Sequence, residues 1–259
     1  MPAIVLPMNI VPSSHSRRSD HAPMRVHREI TFKKTQHNER HSETEGVKTM
    51  ATIIPAHSAQ LADMLEHLVA TWHESDPSHT EQGLRGRVCD LHRFNFLLWH
   101  EEDIARSPDV NDTKIAQVKR AIDKYNQARN DSIEKVDDWL IEELARHNVV
   151  AVQNAPAATE TPGAAIDRLS ILELRRFHMN EQFHRTDATP EHREKVAEKM
   201  LVLDMQRGNL TQSLGCLLEE IFSGIRPLRT FRQMKMYNDP TMNPYLYKSQ
   251  AIGNKTEGS

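Results

Sequence analysis

Eight positions between Ile115 and Leu140 recur at alternating spacings of three and four: Ile115, Val118, Ile122, Tyr125, Arg129, Ser132, Val136 and Leu140. This period is one face of an α-helix, and a face of that length must be covered by other helices. The stripe is apolar at both ends and polar in the middle. Arg129 therefore sits where a hydrophobic side chain belongs, and leaving a guanidinium buried without a partner costs on the order of several kcal/mol. The surrounding stretch, Asn126 to Asp138, carries Asp131, Glu134 and Asp137 off that stripe, so a partner has to come from another element.

Similar faces recur on both sides. A seam of Leu84, Val88, Leu91, Asn95, Leu98, Glu102 and Ala105 predicts a helix from about residue 80 to Arg106, interrupted by Asn95 and Glu102. A last long helix starts at Thr189-Pro190 and runs to Ile221. Its seam, Val196, Met200, Leu203, Arg207, Leu210, Leu214, Leu217 and Ile221, is broken by Arg207. A fourth helix, opening at Pro162, carries Asp167 in a row with Ile171, Leu174 and His178. Ser58 is a candidate cap for a short first helix from Ala59 to Trp72. The turn around Pro108, with Asp112 as cap, folds the second long helix back on the first, so that Asn95 faces Tyr125 or Asn126, a turn from Arg129. Asp167, near the linker end of its helix, need not reach the level of Arg129.

Only 5% of the 259 residues are aromatic, and there are 9 Gly and 11 Met, a composition that favours helix over sheet. The expected fold is all-α: an antiparallel four-helix bundle with a short N-terminal helix and an irregular C-terminal strap. Residues 1–49 read as a disordered extension, with Met50 as an alternative start; 50–248 as the helical domain; 249–259 as a disordered tail. The strap mixes Arg226, Arg229, Arg232 and Lys235 with Phe231, Tyr237 and Tyr245, a composition suited to closing a phosphate or carboxylate site.

A formal charge of −3 supplies no global field for nucleic acid, so no nucleic-acid partner is expected. No apolar run reaches the ~18 residues of a membrane span, which makes a cytoplasmic setting the default. Cys89 and Cys216 both fall among apolar neighbours and read as buried, reduced thiols. Glu181 and His184 match one Glu-x-x-His of a di-iron bundle, but no second copy exists and no metal site is expected. Glu134 and Asp137 match half of a magnesium-binding signature, while Ala105 stands where its third carboxylate belongs. The start of the fourth helix is more suggestive. Thr159 or Thr161 as cap, Pro162, Gly163 and then Arg168 describe a helix N-terminus able to receive an anion.

Four stretches together resemble a known family. NFLLWHEEDIAR from Asn95 to Arg106, NQARNDSIE from Asn126 to Glu134, TPGAAIDRLSI from Thr161 to Ile171 and KMYNDP from Lys235 to Pro240 are similar to the bacterial domain of unknown function numbered 4254, over about residues 55 to 248. The resemblance implies a helical bacterial protein, sometimes encoded near cell-envelope glycan genes, with no established activity.

The site expected from the residues comprises Asn95, Glu102, Arg129, Asn130, Asp131, Asp167, Arg168 and Lys235, binding a small anionic ligand such as a nucleotide or sugar phosphate. Arg129, Arg168 and Lys235 would hold the anion, and Glu102 or Asp131 would act as base or magnesium ligand. No reaction or cofactor follows from the pattern. The competing reading is a non-catalytic interaction protein, or homo-oligomer, in which the polar layer only sets helix register.

Overall fold

The computed structural model describes residues 58–232, 234 and 239–245. Among these the chain is all-helical, without a strand: α1 over 58–74, α2 (Gly83–Arg106), α3 (Asp112–Arg146), α4 (Pro162–His184) and α5 (Pro190–Phe222). α2 packs on α3, α4 packs on α5, and α4 also touches α2 and α3.

The helix ends follow side-chain capping. Thr161 and Thr189 each accept a hydrogen bond from a backbone N–H of the first turn, and each is followed by proline. The missing N–H of proline costs nothing at that position. At α3 the cap is Asn111, whose side chain accepts from Lys114 N at 2.9 Å. Asp112 is instead the first helical residue, where its charge faces the positive end of the helix. α1 is already helical at Ser58, so the expected cap for it lies at the boundary of the described residues.

The main core draws on every helix. It joins Leu61 and Leu65 of α1, Val88 and Leu91 of α2, Val136 and Leu140 of α3, Ile166 and Leu169 of α4, and Leu214, Leu218 and Phe222 of α5. A second cluster of Val69, Trp72, Phe96 and Leu174 continues it towards an aromatic region. The apolar positions of the predicted seams contribute much of this core, although Ile115 at the start of α3 is exposed and Leu98, Ile122 and Met200 are half-buried. Cys89 is in this core, and burial pushes its thiol up to about 12, which removes its reactivity. Cys216 departs from expectation: it is exposed, because it lies one position off the buried pair Leu214 and Gly215.

The approach of α4 to α3 depends on Gly163. A Cβ there would stand 2.6 Å from Ile133 O and 2.8 Å from Asp137 Oδ1, so only glycine lets the two backbones come this close. The linker between α3 and α4 is fixed at its far side by Val152 N donating to Gly224 O at 2.8 Å. Gly224 has φ +74°, and an added Cβ would meet Val150 O at 2.7 Å.

Candidate functional site

Two polar clusters occupy the interior. The first is built on Asp167. Asn95 Nδ2 donates to Asp167 Oδ1 at 2.8 Å and lies 2.9 Å from Ser170 Oγ, which in turn is 2.8 Å from His92 Nδ1. These four residues are buried and stitch α2 to α4. Burial pushes His92 down to about 3, so its ring is neutral. From α3, Arg129 brings Nε to 3.5 Å from Asp167 Oδ1, a Coulombic contact without hydrogen-bond geometry, and that Nε is buried with no hydrogen-bond partner. Burial raises the Asp167 carboxyl above its ordinary range, while Arg129 and the Asn95 hydrogen bond pull it back.

Arg129 and Asp167 therefore meet, although their distances from their helix ends argue otherwise. The reason is the level at which α4 begins. Its first turn sits on Asp137, nine residues before the end of α3, so Asp167, one turn into α4, comes within reach of the long side chain two turns away on α3.

Above this cluster is a groove of about 530 Å³ between α2, α3 and α4. Asn95, Glu102, Asp103, Arg106, Asn126 and Arg129 supply its polar lining; Leu98, Trp99, Ile122, Ile171 and Leu174 supply the apolar part. Glu102 is paired with Arg106 at 2.9 Å, both partly exposed. Of the residues expected to form one site, Asn95, Glu102 and Arg129 line this groove, and Asp167 lies against Asn95 and Arg129. Asn130 opens instead on a separate cavity of about 200 Å³, shared with Thr161 and Arg232. Asp131 is exposed and accepts from Gln127 at 2.7 Å. Arg168 is exposed and bonded to Glu160. Lys235 lies outside the described residues, as do Tyr237 and Asn238.

The N-terminus of α4, expected to receive an external anion, is met by one of the chain's own. Asp137 Oδ1 accepts from Gly163 N at 2.8 Å, and the Thr161 hydroxyl also bonds this carboxylate. Burial raises Asp137, and these hydrogen bonds oppose the rise. Of the two carboxylates in the half-signature for magnesium, Asp137 is thus committed to α4, and Glu134 accepts from Arg232 of the strap at 2.8 Å. Arg232 also bonds Asp138. The strap's arginine thus ties residues after α5 to α3.

The second polar cluster is centred on Glu173. Its side chain is fully buried and takes Arg176 Nη1 and Arg207 Nε, each at 2.6 Å. Arg176 also reaches Asp204 at 2.8 Å and Glu66 at 3.2 Å; Arg207 reaches Asp63 at 2.9 Å and Glu66 at 3.3 Å. The break at Arg207 in the α5 seam thus belongs to a clamp on α1 and α4, separate from Arg129. Its acidic partners on α1 could have been suspected only from Asp63 and Glu66 lying one turn apart.

The model of the family described as a protein of unknown function, DUF4254, matches residues 85–230. The chain belongs to that family. The matched segment takes in α2 from Arg85 onwards, α3 to α5 and both polar clusters' α4 residues, and ends before the Lys235 segment. No curated protein and no solved structure matches the chain. Among the described residues, no helix is long and apolar enough to cross a membrane.

Proposed function

We propose that this DUF4254 protein binds a small anionic ligand, such as a nucleotide or sugar phosphate, in the groove between α2, α3 and α4. The observation that carries the reading is the Arg129 guanidinium: Nε is buried, has no hydrogen-bond donor role filled, and stands beside a carboxylate that it neutralises without bonding. A planar, permanently charged fork with an unused donor suits a phosphate or carboxylate. Asn95 and Glu102 are suited to a hydroxyl or to magnesium held by the ligand, and the Trp99, Ile122 and Leu174 wall to a base or other apolar part. Asn130, Asp131 and Arg168 do not line this groove and are left out of the proposal. Cell-envelope glycan metabolism in the cytoplasm, and the antiparallel four-helix arrangement, belong to the same proposal. The test is a thermal-shift panel of nucleoside phosphates and hexose phosphates, with and without Mg²⁺. A ligand at 100 times its Kd stabilises by about 2.7 kcal/mol. The expected result is a rise in Tm for the wild type that Arg129→Ala abolishes; no rise, or an equal rise in the variant, contradicts it.

A second reading, a non-catalytic interaction protein, is favoured by a different observation. Leu201, Val202 and Met205 of α5 are exposed at 71%, 47% and 59%, a one-turn apolar patch of the kind that marks a contact with another chain. Under this reading Asn95, Ser170 and His92 only set register. A concentration-dependent change in sedimentation that Leu201→Glu removes supports it; a monomer at all concentrations that pulls the ligand response through Arg129 supports the first.

A further inference from the structure

Three histidines from three helices meet at the aromatic end of the interior: His73 of α1, His100 of α2 and His178 of α4. One ring nitrogen of each lies within 4.8 Å of those of the other two. The remaining contacts fix which nitrogens are available. His73 Nδ1 is 2.7 Å from Val69 O and His100 Nδ1 is 2.8 Å from Phe96 O. A carbonyl only accepts, so each Nδ1 carries the proton and donates. His178 Nδ1 is 2.7 Å from Glu181 Oε2 and donates to that carboxylate. In a neutral ring this leaves the lone pair on Nε2. The Nε2 atoms of His73 and His178 are buried with no hydrogen-bond partner, which for a polar atom is costly.

We infer that His73, His100 and His178 form a binding site for a divalent transition metal of the zinc class, coordinated through Nε2. The outer contacts are those that metal-bound imidazoles use: the second ring nitrogen donates to a backbone carbonyl or a carboxylate, which sets the tautomer and the ring orientation. An all-imidazole set suits zinc, copper, iron or nickel and discriminates against magnesium and calcium. Three protein ligands leave a fourth position for water or an anion. The rings are clamped by apolar faces, His73 stacking on Phe177 at 4.2 Å and His178 on Trp99 at 4.8 Å between centroids. Coordination at the ~2.0–2.1 Å of zinc–imidazole bonds draws the three nitrogens closer together, by ring rotation. Glu181 thus has its own partner in His178, independent of the Glu-x-x-His pairing with His184. His184 Nδ1 is bonded to Asn180 O. The inference does not depend on the anion reading, since none of the three histidines lines the groove.

The test is titration of the full chain with Co²⁺, followed by visible absorption. The wild type should take up one equivalent with the intense bands of a four- or five-coordinate nitrogen site. His73→Phe and His178→Phe, which keep the aromatic packing, should remove those bands. Glu181→Gln, a change on an exposed side chain that leaves the packing intact, should weaken binding by about tenfold. Far-UV circular dichroism checks that each variant is folded. Absence of the bands in the wild type overturns the inference. So does binding of unchanged affinity in Glu181→Gln and in either folded histidine variant, which assigns the Co²⁺ to other histidines of the chain.

Discussion

The two buried polar clusters share ingredients and differ in how completely they are satisfied. Around Glu173, a fully buried carboxylate receives two charge-assisted hydrogen bonds, and each arginine goes on to carboxylates nearer the surface. Around Asp167, the carboxylate receives one hydrogen bond from Asn95, and Arg129 stands at 3.5 Å with its Nε unpaired. The first cluster locks α1, α4 and α5 together. The second forms the floor of a groove of about 530 Å³. A saturated ion network gives its energy to the fold, whereas an unsaturated one keeps a donor for something else.

Substitutions should separate the two clusters, and the largest effect is expected at the closed one. Glu173→Ala strips two arginines of their common buried partner. It should lower unfolding stability by about 3 kcal/mol, the low end of the cost of breaking a buried pair because both arginines keep outer carboxylates. At the open cluster, Arg129→Leu combined with Asp167→Asn should change stability by less than about 1 kcal/mol, since a poorly bonded pair is replaced without leaving a charge behind. Urea denaturation of both variants gives the comparison directly, and an equal loss in the two would erase the distinction.

Between these extremes lies Gly163→Ala, which tests the close approach that carries Asp167 to Arg129. The new methyl would collide with Ile133 O and Asp137 Oδ1, and overpacking of this kind costs about 1–3 kcal/mol. Ligand stabilisation should also be weaker in this variant, because α4 must shift away from α3.

The pH response is the finest probe. His92 is pushed down to about 3 from an ordinary 6.5; its contribution is fully present above pH 6.5 and is lost as pH falls towards 3. Asp137, Asp167 and Glu173 are raised; what they contribute is present below their ordinary range and is lost as pH rises through their folded values. Stability measured in urea from pH 3 to 8 should therefore show opposing slopes. His92→Leu should remove most of the acid-side loss, and Asp167→Asn should flatten the opposite limb only slightly.

Much of the fold is written in short-range signals. Thr161 with Pro162, Thr189 with Pro190, and the three-four seams are enough to give four long helices almost to the residue, because a cap and a stripe are both decided within a turn or two of chain. Family membership is legible in the same way, from Asn95 to Arg106 and from Thr161 to Ile171. The pairing of faces is not. Arg129 and Arg207 look alike as breaks in a stripe, yet their carboxylates come from α4 in one case and from both α4 and α1 in the other, up to 144 residues away. Asp137 reads as an exposed helix acid until the start of α4 is set upon it. His73, His100 and His178 share no local spacing, since each comes from a different helix. Cys216 is exposed because its apolar neighbours in sequence are not its neighbours in space.

The central claim is that Arg129, unlike Arg207, is held for a ligand. Isothermal titration of the strongest compound from the phosphate panel into the wild type, Arg129→Ala and Arg207→Ala tests it most directly. Binding by the wild type and by folded Arg207→Ala, and its loss in Arg129→Ala, is the expected result. Undiminished binding by Arg129→Ala, or none by the wild type, would contradict it.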